Sequence, residues 1–257
     1  MTTTALTPVE SRLGAAYDAY HLARARTSIV AALYAQAMGE HYPADAAPSS
    51  SLDLPLLHLM IRRLALLPGR LLVDLGCGTG GAGLWLSRAT GARLIGVDIS
   101  PAAVRLATAR ITGFVPADRA VFHTGTVRTT GLPTAHADAL VCVDALGPAG
   151  DRGEALHEMR RILRPGARAV ITRAMGHTGG PRWRSRVEAA GFDIEHLDER
   201  PHEPHFWRRL YRLWLFHAAE LRRELGDMQA ESMLDEASRV LPTLDERRAV
   251  ALTLRCR

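Results

Sequence analysis

The sequence predicts an α/β fold: a doubly wound, mostly parallel sheet of seven strands with helices on both faces. Three observations predict it. Short apolar runs alternate with amphipathic segments from residue 71 to 199, the pattern of strands buried on both faces. A glycine-rich turn, VDLGCGTGG (73–81), joins the first of these runs to a helical segment. A last alternating run, RAVALTLRC (248–256), follows a long helical excursion and supplies a seventh strand.

The elements read in order as follows. Residues 1–40 read as helical, and a loop, GEHYPADAAPSSS (39–51), follows. Asp53 is placed to cap a helix through Leu56, Leu57, Met60, Ile61 and Leu64, which PGR (68–70) ends. Strands are expected at 71–76, 93–100, 120–127, 138–144, 167–172 and 192–199. Helices are expected at 81–89, 101–110, 154–163 and 184–190, and through 204–241. The expected division is an N-terminal helical cap (1–52), a nucleotide-binding core (53–200), a helical lid (201–247) and the core's final strand (248–257).

Composition narrows the function. All 32 basic residues are Arg, and the chain has neither Lys nor Asn. A GC-rich genome accounts for both absences, and the first excludes a lysine Schiff base. The net charge is +5, but the arginines interleave with acids along the chain, so a nucleic-acid partner is not expected. Cys77, Cys142 and Cys256 make no disulfide framework or zinc spacing, and no metal is expected. No apolar run is long enough for a membrane span and no leader is evident, so a cytoplasmic location is expected.

The glycine loop carries the chemistry. Gly76, Gly78 and Gly81 satisfy G-x-G-x-x-G, a weak signal alone. Glycine allows the chain to turn sharply while its backbone lies against a ligand. Asp98, about 20 residues on at a strand end, is placed to accept both ribose hydroxyls of an adenosine. Asp74 lies two residues before Gly76. A pyrophosphate gains nothing from that charge, whereas a sulfonium and an ammonium do.

VDLGCGTGG, GVDIS and LRPGARAVIT resemble, in order and spacing, the motifs of class I S-adenosylmethionine-dependent methyltransferases. GEHYPADAAPSS before the glycine loop resembles a bacterial small-molecule subgroup more loosely. The resemblance implies a seven-stranded sheet with the last strand antiparallel. It implies S-adenosylmethionine as cofactor, met by Asp74, Gly76, Cys77, Gly78 and Gly80 at the methionine part and by Asp98 at the ribose. Ile99, Thr126 and Val127 would lie by the adenine, and Asp144 at the ligand's amino-acid end. Thr126 departs from the family's usual Asp.

Methyl transfer needs alignment of the acceptor and exclusion of water, and a base only where the acceptor loses a proton. His177, His41 and His217 are the candidate bases. Tyr17, Tyr20, Tyr42, Trp207 and Tyr211 are the candidate acceptor-binding residues, and their aromatic character suits a small apolar or aromatic secondary metabolite. A homodimer is compatible with the sequence. Competing readings are a protein that uses the same cofactor for cyclisation or rearrangement, an RNA or DNA methyltransferase, and an NAD(P)-dependent oxidoreductase.

Overall fold

The computed structural model describes residues 6–147, 151–176 and 180–257. Seven strands form one sheet: β1 (Leu71–Leu75), β2 (Arg93–Asp98), β3 (Ala120–Thr124), β4 (Ala137–Cys142), β5 (Leu163–Gly176), β6 (Phe192–Glu199) and β7 (Arg247–Cys256). Their spatial order is β3-β2-β1-β4-β5-β7-β6. Strands β1 to β5 run parallel, and β7 is antiparallel to both β5 and β6. The chain reverses direction between β1 and β4, where open parallel sheets bind ligands at their carboxyl edge.

Helices α3 (Leu54–Leu64), α4 (Gly81–Thr90), α5 (Pro101–Arg110), α6 (Arg152–Ile162) and α7 (Gly180–Ala189) accompany the sheet. Asp53 caps α3 as expected, its carboxylate accepting from the Leu56 amide at 2.8 Å. The core divides by sheet face. One cluster joins Leu140, Ile171 and Leu252 to Met159, Trp183 and Val187 of α6 and α7. The other joins Leu72, Leu94 and Val170 to Leu57 and Met60 of α3 and Leu84 of α4.

The remaining helices are α1 (Pro8–Arg24), α2 (Ile29–Met38), α8 (Glu203–Phe216), α9 (Ala218–Leu225) and α10 (Asp227–Val240). Helices α2 and α8–α10 share a third core around Tyr34, Leu210, Tyr211, Trp214 and Leu234.

Four expected boundaries need correction. Residues 1–40 hold two helices, because the Thr27 hydroxyl takes the Ile29 amide and restarts the chain. The stretch 204–241 holds three, broken at His217 and at Gly226, whose φ of +81° leaves the helical region. Strand β3 stops at Thr124, since the Thr126 hydroxyl accepts the amides of Arg128 and Thr129 and turns the chain. Strand β5 exceeds 167–172 because β7 pairs with it from Arg168 to Gly176.

Candidate functional site

The loop after β1 turns on Gly76, Gly78 and Gly80, with φ of +69°, +51° and +77°. What a side chain would meet at each separates their roles. At Gly76 a Cβ would lie 2.2 Å from Ala145 Cβ, and at Gly80 it would lie 2.8 Å from Phe122 Cζ. At Gly81 it would lie 2.2 Å from the Ala46 carbonyl oxygen. These three are glycine because protein packs against them. At Gly78 the nearest atom is His21 Cε1, at 3.6 Å. Gly78 therefore gives the loop its ligand-accessible backbone.

Asp98 ends β2 beside that glycine and is only 7% exposed. Its Oδ2 accepts from the Gly78 amide at 2.8 Å and its Oδ1 from the Ser100 amide at 2.9 Å. Burial raises its pKa, and the two amides oppose that rise. Each oxygen keeps acceptor capacity for a further donor. Asp74 lies behind the loop, its Oδ2 accepting from the Gly83 amide at 2.9 Å. Burial pushes its pKa up to about 7, against that amide and with help from the charge of Asp98. Its carboxylate thus holds α4 to β1. Cys77 is buried, its thiol pushed well up by burial, so it is a packed side chain rather than a nucleophile.

Helix α1 covers the loop. Gly14 lets it approach Ile99, since a Cβ there would lie 3.3 Å from the Ile99 carbonyl oxygen. One turn on, Asp18 accepts from the Ser100 hydroxyl and, at 2.8 Å, from the Ala102 amide at the start of α5. Next, His21 is buried against Gly78 and stacks on Tyr17, ring centroids 6.3 Å apart. Burial lowers its pKa to about 4, assisted by Arg24, so the ring is neutral at pH 7. Tyr17 is pushed up to about 12, by burial first and then by charges including Asp98. At the other end of α1, Glu10 meets Arg128 at 2.8 Å, and Arg128 meets Glu154 at 2.7 Å.

The opposite rim is tied by Arg110, whose guanidinium donates to the carbonyls of Thr79, Asp45 and Ala46 at 2.8, 2.8 and 2.9 Å. This clamps the 39–51 loop to the glycine loop. Asp144 follows β4 with a φ of +57°, a conformation that its carboxylate's contacts fix. It accepts from the Ser51 amide at 2.7 Å and the Thr172 hydroxyl at 2.7 Å. Glu203 is buried nearby, accepts from Trp207 Nε1 at 2.7 Å, and is pushed up to about 7 by burial and by Asp144.

The expected residues fall into distinct places. The structure brings Gly76, Gly78, Gly80, Asp98, Ile99 and Tyr17 together around the loop after β1. Thr126 spends its hydroxyl on its own turn, and Val127 packs on the sheet core. Tyr20 accepts from Arg24, whose guanidinium lies 4.9 Å from its ring centroid. Tyr42 has a buried hydroxyl without a partner among the described residues. Trp207 and Tyr211 stack in the helical core, the Tyr211 hydroxyl donating to Glu236 at 2.9 Å. His41 is exposed, and His217 is paired with Glu220 at 3.0 Å in a separate cleft between α2 and α9. His177 lies outside the described residues. Among the described residues no metal-binding cluster occurs.

Sequence reasoning missed Asp18 and His21. A signal existed: Gly14, Asp18 and His21 fall at i, i+4 and i+7, a polar stripe opened by a glycine within a helix. It missed Arg110 and Glu203 because nothing local marks an arginine or a glutamate that acts across the fold.

Comparison with known proteins agrees with this geometry. Residues 72–166 match the methyltransferase domain family. The methyltransferase GfsG of Streptomyces halstedii is 30% identical over 44% of this chain and 40% of its own length. The O-methyltransferase resE of Aspergillus sclerotiorum is 25% identical over 65% and 62%, respectively. The 27-O-demethylrifamycin SV methyltransferase of Amycolatopsis mediterranei is 26% identical over 64% and 58%. These matches thus span 40–62% of the relatives' lengths. The [4+2]-cyclase SpnF shares the fold across 99% of this chain and 98% of its own, at 21% identity and a TM-score of 0.74. A methyltransferase from Geobacter sulfurreducens solved with S-adenosyl-L-homocysteine covers 88% of this chain and 98% of its own, at 19% identity and a TM-score of 0.65. Residues 72–166 thus carry the methyltransferase domain, and the chain as a whole shares the fold of S-adenosylmethionine-dependent methyltransferases, with a glycine loop, the Asp98 carboxylate at a strand end and an antiparallel last strand.

Proposed function

We propose that this protein transfers a methyl group from S-adenosylmethionine to oxygen, nitrogen or carbon of a small-molecule secondary metabolite. The observation that carries this reading is the left-handed backbone of Gly78, which has room for a Cβ beneath His21, hydrogen-bonded to the buried Asp98 carboxylate. The residues present fit the cofactor. The backbone at Gly78 can lie against it, Asp98 can accept the two ribose hydroxyls, and Ile99 offers an apolar edge to the adenine. When bound, it supplies an electrophilic methyl carbon on a sulfonium.

The chain's own residues do the rest. Helix α1 closes over the loop and excludes water, and Arg110 holds the 39–51 loop against it. Neutral His21 packs on the cleft without bringing a cation to a cationic ligand. The relatives' names support an acceptor of natural-product type. A cytoplasmic protein acting on a free small molecule, without a nucleic-acid partner, belongs to the same proposal. No described helix is long and apolar enough to cross a membrane.

The test is incubation with S-adenosylmethionine and a panel of phenols, hydroxylated macrolactones and quinols, with S-adenosylhomocysteine and methylated product measured together. Equimolar formation of both supports the proposal. The whole-chain likeness to a cyclase favours one rival, in which a product of unchanged mass forms and no S-adenosylhomocysteine accumulates; that result would refute methyl transfer.

A further inference from the structure

Fifteen of the described arginines form ion pairs with carboxylates, and a group near the end of β5 does not. Arg173 lies near the carboxyl end of β5, its guanidinium carbon 4.0 Å from the ring centroid of Trp183 on α7. Trp183 is 3% exposed, so this stacking fixes the guanidinium plane. Arg173 Nε and Trp183 Nε1 are both buried and have no hydrogen-bond acceptor among the described residues. Arg186 lies about one helical turn beyond Trp183 on α7, and burial first, then the charges of Arg152 at the first position of α6 and of Arg186, lower the Arg173 pKa. None of the three arginines makes an ion pair among the described residues. Asp151, adjacent to Arg152 in sequence, spends its carboxylate on the amides of Gly153 and Glu154.

Three guanidiniums gathered without an acid repel one another, an arrangement that an anion reverses. A planar guanidinium held on an indole face is preorganised for a bidentate oxyanion. We propose that Arg173, Arg152 and Arg186 form an oxyanion site at the carboxyl end of the sheet that receives a phosphate or carboxylate carried by the acceptor. The acceptor assignment rests on the methyl-transfer reading; the anion site does not. It narrows the acceptor class to anionic molecules, whose tail is anchored by β5, α6 and α7 while the reacting atom lies toward Gly78.

The experiment is calorimetric titration of the full chain at low salt with pyrophosphate, inorganic phosphate, phenyl phosphate and benzoate, each with and without S-adenosylhomocysteine. Saturable pyrophosphate binding is expected, weakened about tenfold by Arg186→Gln and more by Arg173→Gln, and falling as salt rises. The exposed Arg223→Gln on α9 should leave it unchanged. Arg186 is exposed, so its variant carries the test if the Arg173 variant fails to fold. No saturable binding up to about 10 mM, or equal binding by Arg186→Gln, overturns the site. Phenyl phosphate binding more tightly than inorganic phosphate supports an acceptor-borne group; the reverse order overturns that part. S-adenosylhomocysteine that fails to bind while pyrophosphate binds would refute the methyl-transfer reading and leave the anion site intact.

Discussion

Substituting alanine at Gly78 and at Gly80 should separate a ligand-facing glycine from a packing glycine. Both residues have positive φ, +51° and +77°, so either alanine pays about 1–2 kcal/mol for the left-handed backbone. At Gly80 the new methyl also meets Phe122 at 2.8 Å and Ala107 Cβ at 3.1 Å. Overpacking of that kind adds about 1–3 kcal/mol, giving a total of about 2–5 kcal/mol. At Gly78 the methyl meets nothing closer than 3.6 Å, so strain is the whole cost. In a chain of this size each kcal/mol moves Tm by about 2–4 °C. The assay is thermal unfolding with and without S-adenosylhomocysteine. A ligand at a hundredfold excess over Kd stabilises by about 2.7 kcal/mol, and affinity weakened tenfold by the Gly78 methyl would halve that. Gly78→Ala should thus keep most of its stability and lose half or more of the ligand-induced shift. Gly80→Ala should unfold earlier, yet retain the full shift wherever it is folded. A full ligand shift in Gly78→Ala would refute the placement of the cofactor against that residue.

Three further outcomes follow from the same geometry. Asp98→Ala should weaken S-adenosylhomocysteine by about 1–3 kcal/mol through lost charge-assisted hydrogen bonds, read by calorimetry; unchanged affinity would contradict the ribose assignment. Asp74 has its pKa raised to about 7 by burial, so its ionisation opposes folding as pH rises from about 4 through 7. Asp74→Asn removes that penalty, about 4 kcal/mol at most, and its Tm advantage over wild type should be larger at pH 8 than at pH 4.5. The pKa of His21 is lowered to about 4, so the stability it confers is complete above its unfolded value near 6.5 and is lost as pH falls toward 4. Hydrogen exchange in α1 should accelerate over that interval, and His21→Phe should remove the acceleration; an identical pH response in the variant would show that another group controls the helix.

The fold was legible in the sequence because strand burial and the glycine turn leave local marks. LLVDL is buried at every position and ALVC is apolar throughout, since both faces of the sheet are covered. Gly76, Gly78, Gly81 and Asp98 stood out by spacing, and Gly80 by the family resemblance. What that spacing cannot show is which glycine faces a ligand, because Phe122, Ala145 and Ala46 arrive from distant parts of the chain. Trp207 and Tyr211 were ambiguous for a related reason. Helical periodicity identifies a buried face, but not whether protein or substrate buries it, and here Tyr34 of α2 and Leu234 of α10 share their core. The helix breaks at Thr27 and His217 were illegible because neither glycine nor proline marks them.

Helix α1 explains how so polar an element can complete a binding site. Of its residues only Gly14 and His21 are buried, so little apolar area holds it to the core. Its docking rests on polar contacts at both ends: Glu10 on Arg128, and Asp18 on the start of α5. Partly exposed ion pairs of this kind contribute at most about 1 kcal/mol each. The docked helix is therefore held only a few kcal/mol below an open one, a gap that ligand binding can span in either direction. A nucleoside held against Gly78 would have to displace His21 from its contact there, and so would move the helix as it binds. The stronger clamp at Arg110 secures the opposite rim. On the proposed reading, entry and release of the cofactor would therefore fall to the N-terminal helix.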